Sequence, residues 1–127
     1  MRLLLDTHAL LWWWTEPDRL SQRAMKALTD ESNEILVSAA SAWEIATKNR
    51  IGKLGLHEVE TRFDELLRAD GFAHLPVTAR HALRAGAYGH PHRDPFDRML
   101  AAQAELEGLQ LVSCDNALTP FPVRCLW

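Results

Sequence analysis

Short apolar runs alternate with amphipathic stretches along this chain. Leu3-Leu4-Leu5 and Ile35-Leu36-Val37 are unbroken apolar runs, as expected of strands buried on both faces of a parallel sheet. Leu109 to Cys114 reads as a third strand, Ala73-His74-Leu75 as a shorter one, and Val123 to Leu126 as an edge strand behind Pro120 and Pro122. The stretches between them carry helix signals. Thr7 is placed to cap a helix through Trp14 that Pro17 stops, and Ser21 starts another to about Thr29. Ser38 to Lys48 reads as a helix, followed by a loop with Gly52 and Gly55. Val59, Phe63, Leu66 and Leu67 mark one amphipathic helix from about Glu58 to Ala69, which Gly71 ends. Thr78 caps a helix to about Ala87. Asp94 is the N-cap and Pro95 the first residue of one that Gly108 closes. Strands alternating with helices imply βαβ units, so the expected class is α/β with a mainly parallel sheet of about four to five strands.

Composition narrows this to one soluble unit. The chain has 127 residues, 47% hydrophobic and 24% charged, which suits a single domain over 1–127. A net charge of −3 argues against coating nucleic acid by bulk charge, although local basic strips remain open. Cys114 and Cys125 lack metal-ligand spacing, and Cys114, in an apolar run, reads as a small core residue. Met1 to Leu5 resembles the start of a signal peptide, but Asp6 ends the apolar run too early, and no run approaches a membrane span. The expected setting is cytoplasmic, with no membrane partner.

The acids carry the chemistry. In a parallel sheet the C-terminal strand ends form one rim, and Asp6 and Asp115 both follow apolar strands directly. Glu44, on the helix after Ile35-Leu36-Val37, lies within reach, as do Asp94 and Asp97 on the first turn of the helix leading into the Leu109 strand. Singly, each has an ordinary explanation. Asp6 and Asp94 can cap helices, Glu44 has capping-box spacing from Ser41 and pairs with Lys48, and Asp115 can be a turn residue. Together they repel: two unit charges ~4 Å apart cost about 1 kcal/mol in water and ~4 at an effective dielectric near 20. Such a group needs a cation, and hard oxygens without a His/Cys framework favour Mg²⁺ or Mn²⁺ over Zn²⁺.

Four segments bear a family resemblance. Leu3-Leu4-Leu5-Asp6-Thr7-His8, Ser41-Ala42-Trp43-Glu44-Ile45, His92-Arg93-Asp94-Pro95-Phe96-Asp97-Arg98 and Leu111-Val112-Ser113-Cys114-Asp115 resemble PIN-domain ribonucleases, most closely VapC-type toxins of bacterial toxin–antitoxin pairs. The resemblance covers the whole chain. It implies a three-layer α/β/α domain, Mg²⁺- or Mn²⁺-dependent hydrolysis of RNA and inhibition by a cognate antitoxin. By motif, Asp6, Glu44 and Asp97 match the three core acids and Asp115 the fourth, with Asp94 the alternative to Asp97. Ser113 stands where the family often places a Ser or Thr near the metal and is a candidate substrate contact.

Other features bear on substrate and partners. Lys48, Arg50 and Lys53 form the densest basic strip, and Arg93 and Arg98 flank the acidic turn, so Lys48, Arg50, Arg93 and Arg98 are candidate RNA contacts. Trp12-Trp13-Trp14 cannot all enter one core, because successive helical residues point ~100° apart. At least one is therefore expected at the surface, either half-covered by its own chain or against an antitoxin helix or a second subunit of a homodimer. His8, His90 and His92 lie near the rim without a distinct role. A haloacid-type phosphatase needs Asp-x-Asp, and His8 stands at the second position. The remaining alternatives are a PIN-like nuclease that is not a toxin and an RNA-binding module without catalysis.

Overall fold

The computed structural model describes residues 1–127. Strand β1 (Arg2–Leu5) leads into α1 (Thr7–Thr15), a 3-10 turn at Pro17–Arg19 and α2 (Gln22–Thr29). Strand β2 (Glu34–Ser38) is followed by α3 (Ala39–Arg50), α4 (His57–Thr61) and α5 (Phe63–Asp70). The chain continues through β3 (Ala73–Leu75), α6 (Ala79–Ala87), α7 (Pro95–Glu107) and β4 (Gln110–Val112). A second 3-10 turn at Asn116–Leu118 precedes β5 (Cys125–Leu126). All five strands are parallel, in the order β3-β2-β1-β4-β5, so β1 lies at the centre. The order reverses direction at β1 and β4, the place where open parallel sheets form their sites.

Period-two alternation in the strands builds three layers. Leu3, Leu5, Ile35, Val37 and Val112 face one core with Leu10, Leu28, Ile45 and Leu67 from the helices on that side. Leu4, Leu36 and Leu111 face the other, against Ala85 of α6 and Leu100, Ala101 and Ala104 of α7. Leu3, Leu4 and Leu5 are all fully buried, each stabilising the fold by about 1.5–3 kcal/mol relative to exposure. The α/β/α architecture expected from the sequence is present.

Several local expectations change. Asp6, not Thr7, caps α1: its carboxylate accepts the His8 N–H at 2.7 Å, while Thr7 sits in the first turn and shares a buried hydrogen bond of 2.9 Å with Ser41. Ser38 caps α3 through the Ala40 N–H, so Ser41 is inside that helix and forms no capping box with Glu44. The expected helix 58–69 is two helices, because Arg62 leaves helical geometry at φ −104 and ψ 15. Strand β4 stops at Val112, which leaves Cys114 exposed in the loop beyond; both cysteines are free thiols. The tryptophans of α1 are all half-buried by their own chain. Trp12 packs edge-on against Trp127 under Arg19, Trp13 lies against Phe72 and Trp14 against Phe63, and both latter indoles donate to Asp70. They form no exposed aromatic patch. No helix is long and apolar enough to cross a membrane.

Candidate active site

Parallel pairing places the first acid beside its hydroxyl partner. Leu5 is in register with Val112, and the chain runs on in step, with the Asp6 N–H donating to the Val112 carbonyl at 3.1 Å. Just beyond β4, the Ser113 hydroxyl donates to Asp6 Oδ2 and accepts the Asp115 N–H at 3.1 Å. Ser113 is 3% exposed. Buried, and bonded on both sides, it orients Asp6 rather than meeting substrate, which corrects its expected role. Asp115 is exposed, and its Oδ1 caps the following 3-10 turn through the Ala117 N–H.

Helices bring the other acids to the same rim. Glu44, buried on α3, accepts a hydrogen bond from Lys48 one turn later. Asp94 caps α7 by accepting from the Phe96 and Asp97 N–H groups, at 2.9 and 3.3 Å. Asp97 projects from the first turn and meets His92 Nε2 at 3.0 Å. The two acids of Asp-Pro-Phe-Asp thus have different tasks in the fold, since Asp94 holds the helix start while Asp97 is held by a side chain.

The electrostatics confirm that these groups share a field. Burial, then the charge of Asp94, pushes the Asp97 carboxyl up to about 6, with Asp6 and Asp115 adding to the rise and the His92 hydrogen bond opposing it. Burial also pushes Asp6 above the usual carboxylate range, with Glu44 adding and the Ser113 and His8 hydrogen bonds opposing. Burial works against the Lys48 charge. The Glu44 hydrogen bond and charge, with Asp94 and Asp97 beyond, together outweigh it and raise the ammonium pKa. Asp97 therefore feels Asp94, Asp6 and Asp115, Asp6 feels Glu44, and Lys48 feels Glu44, Asp94 and Asp97.

The basic candidates separate. Arg50 and Arg93 are exposed and free of side-chain partners, as is Lys53 in the loop after α3. Arg98 is committed elsewhere. Its Nε donates to the Ala85 carbonyl at 2.8 Å, and its two terminal nitrogens donate to the carbonyls of Gly86, Tyr88, His90 and His92. All five N–H groups of the guanidinium are used, so Arg98 has no donor left for a phosphate and its expected role is corrected. It ties down the loop that carries His92 to Asp97. Sequence reasoning placed His92 near the rim without a task, and its five-residue offset from Asp97 across the N-cap turn was the available signal.

Comparison with known proteins agrees with this geometry. The model of the PIN domain family matches residues 3–121. Ribonuclease VapC22 of Mycobacterium tuberculosis is 32% identical over 121 residues, covering 91% of this chain and 88% of the relative. The fold is similar to VapBC2 from Rickettsia felis, solved bound to a DNA fragment from their promoter, with TM-score 0.72, 16% identity and coverage of 98% and 97%. It is also similar to a toxin-antitoxin complex from Klebsiella pneumoniae, with TM-score 0.60, 19% identity and coverage of 89% and 86%. With the family model spanning nearly the whole chain and the four motif segments meeting on one rim, this chain belongs to the PIN domain family.

Proposed function

We propose that this chain is a metal-dependent ribonuclease that hydrolyses RNA phosphodiester bonds, and that it is the toxin of a toxin–antitoxin pair. The observation that carries the reading is the placement of Asp6 after β1, Glu44 on α3, Asp97 in the first turn of α7 and Asp115 after β4, all at the C-terminal side of the parallel sheet, with the raised Asp97 carboxyl consistent with crowding there. A fold gains nothing from crowding acids, whereas a divalent cation reverses the cost. The kinship with Ribonuclease VapC22 supports the reaction, and the toxin-antitoxin complex among the similar structures supports the partner. None of the five principal surface clefts is lined by Asp6, Glu44, Asp97 or Asp115. An open rim suits a polymer better than an enclosed small molecule.

The donors fit Mg²⁺ or Mn²⁺. As the side chains stand, Lys48, Ser113 and His92 each occupy one carboxylate oxygen, and no three acidic, histidine or cysteine groups close around one point. Glu44 Oε1 and Asp97 Oδ1 have no hydrogen-bond partner, which leaves oxygens for a cation. Asp6 and Asp97 would hold it, with Glu44 and Asp115 assisting and Asp94 the runner-up to Asp97. When bound, the cation activates water and offsets charge on the phosphoryl group. Ser113 fixes the rotamer of Asp6, His92 that of Asp97, and Lys48 that of Glu44. Arg50 and Arg93 lie free to meet flanking phosphates. Incubating a single-stranded RNA with the purified protein in Mg²⁺, in Mn²⁺ and in chelator tests the activity. Cleavage that persists in chelator, or in a folded Asp6→Asn variant, overturns the reading. Induced expression with mapping of RNA ends tests the toxin assignment, which new RNA ends with wild type but not with Asp6→Asn would support.

A further inference from the structure

Trp43 stands apart from the other tryptophans. It is 59% exposed, whereas Trp12, Trp13, Trp14 and Trp127 are half-buried. Its ring is held edge-to-face by Phe96, with centroids 4.8 Å apart and planes at 72°. This contact joins α3 to the first turn of α7. Trp43 directly precedes Glu44 on α3, and Phe96 directly precedes Asp97 on α7, so the aromatic contact joins the helical turns that carry two of the acids. We propose that Trp43, braced by Phe96, is a stacking platform for one unpaired nucleobase of the RNA beside the phosphate to be cleaved. The inference rests on the ribonuclease reading above and adds that the substrate is single-stranded at this position.

The surroundings favour a nucleotide. Seven residues after Trp43, two turns along the same face of α3, stands Arg50, exposed and about 10 Å away along the axis. Thr47 lies between them, and Arg93 is exposed just ahead of the Asp94 cap. A large apolar ring among separated cations matches a base with its flanking phosphates. The net charge of the chain is −3, so an uncharged stacking face adds affinity to what the few exposed arginines supply. Edge-on support from Phe96 orients the indole before substrate arrives, which limits the ordering cost of binding.

The test compares wild type, Trp43→Ala, Trp43→Phe and Phe96→Leu on a single-stranded RNA oligonucleotide and on a duplex of the same length, in Mn²⁺. Melting curves and light scattering on each variant follow folding and mass. Trp43→Ala is expected to raise KM for the single strand roughly tenfold, from the usual value of a base–aromatic stack, with kcat within about twofold. Trp43→Phe is expected to restore most of the loss, and Phe96→Leu to show an intermediate one at unchanged melting temperature. The preference for single strand over duplex is expected to shrink in Trp43→Ala. Cleavage by wild type with an unchanged KM in Trp43→Ala overturns the platform while leaving the ribonuclease reading intact. A Trp43→Ala variant that changes only the mass of the particle assigns the surface to a second copy of the chain and also overturns it. Failure of wild type to cleave overturns both.

Discussion

Two places in this molecule gather ionisable side chains between secondary-structure elements, and they do so with opposite sign. Between α6 and α7, each acid meets a donor. Glu105 accepts from Arg84 and from the Tyr88 hydroxyl at 3.0 Å, and Glu107 meets the buried His81 at 2.8 Å. The Arg84 hydrogen bond holds the Glu105 carboxyl below its ordinary value. At the sheet rim, acids face acids, and Asp97 is pushed up to about 6. The same residue types stabilise the fold in one place and strain it in the other. Ser113, Lys48 and His92 each engage one rim acid, yet burial and the neighbouring acids still push Asp97 up, whereas Glu105 is held down by its partner.

Breaking the rim is expected to cost activity and spare the fold. Asp97→Asn should lower cleavage about a thousandfold or more, equal to about 4 kcal/mol of transition-state stabilisation, in a single-turnover RNA assay. Asp94→Ala should destabilise the fold through the lost cap, by ~0.5–2 kcal/mol in urea unfolding, whereas Asp94→Asn keeps a cap acceptor and should melt close to wild type. If Asp94→Asn abolishes cleavage and Asp97→Asn does not, the two roles exchange. Next in size is Arg98→Lys, which replaces a five-donor fork with three donors on a single nitrogen. It should destabilise by about 2–4 kcal/mol in urea unfolding and reduce cleavage too, because the His92 loop is no longer held.

The sharper contrast is in pH. In metal-free protein, a carboxyl raised from 3.8 to about 6 binds its proton more tightly folded than unfolded, so this contribution to stability falls as pH rises across that interval. Glu105 behaves in the opposite way. Its folded pKa lies below the ordinary 4.5, so its contribution is present above that value and is lost as pH falls through the folded one. Asp97→Asn should therefore stabilise the metal-free protein at neutral pH by about 1 kcal/mol after solvent screening. Added Mn²⁺ should raise the melting temperature of wild type and not of this variant. The smallest expected effect is that of Glu105→Gln, which should lower the melting temperature in acid-to-neutral scans and leave cleavage unchanged.

How much was legible in the sequence follows from the range of each interaction. Strand runs, helix caps such as Asp94 and Gly108, and the strand-end position of Asp6 depend on local pattern, and they appear where expected. The half-burial of Trp12 to Trp14 depends on Asp70, Phe72 and Trp127, which are distant in the chain, so helical phase alone could not choose between half-burial and an interface. Arg98 looked like a phosphate ligand because charge is visible in a sequence and a cage of carbonyls is not. Ser113 was placed near the acids as a substrate contact, whereas its bond to Asp6 emerges only from the β1–β4 pairing. Cys114 was misjudged by the length of one strand, since two residues beyond Val112 the chain has already left the sheet.

The strand order also gives the site a history. Asp6 lies at the end of the first strand, while Ser113, which orients it, follows 107 positions later on the strand that closes the centre of the sheet. During synthesis from the N-terminus, every chain that ends before β4 therefore carries the first acid without its hydroxyl partner. A chain still being made has β2 to pair with β1 on one side and nothing on the other, so Asp6 meets Ser113 only after the crossover through α7 has laid β4 beside β1.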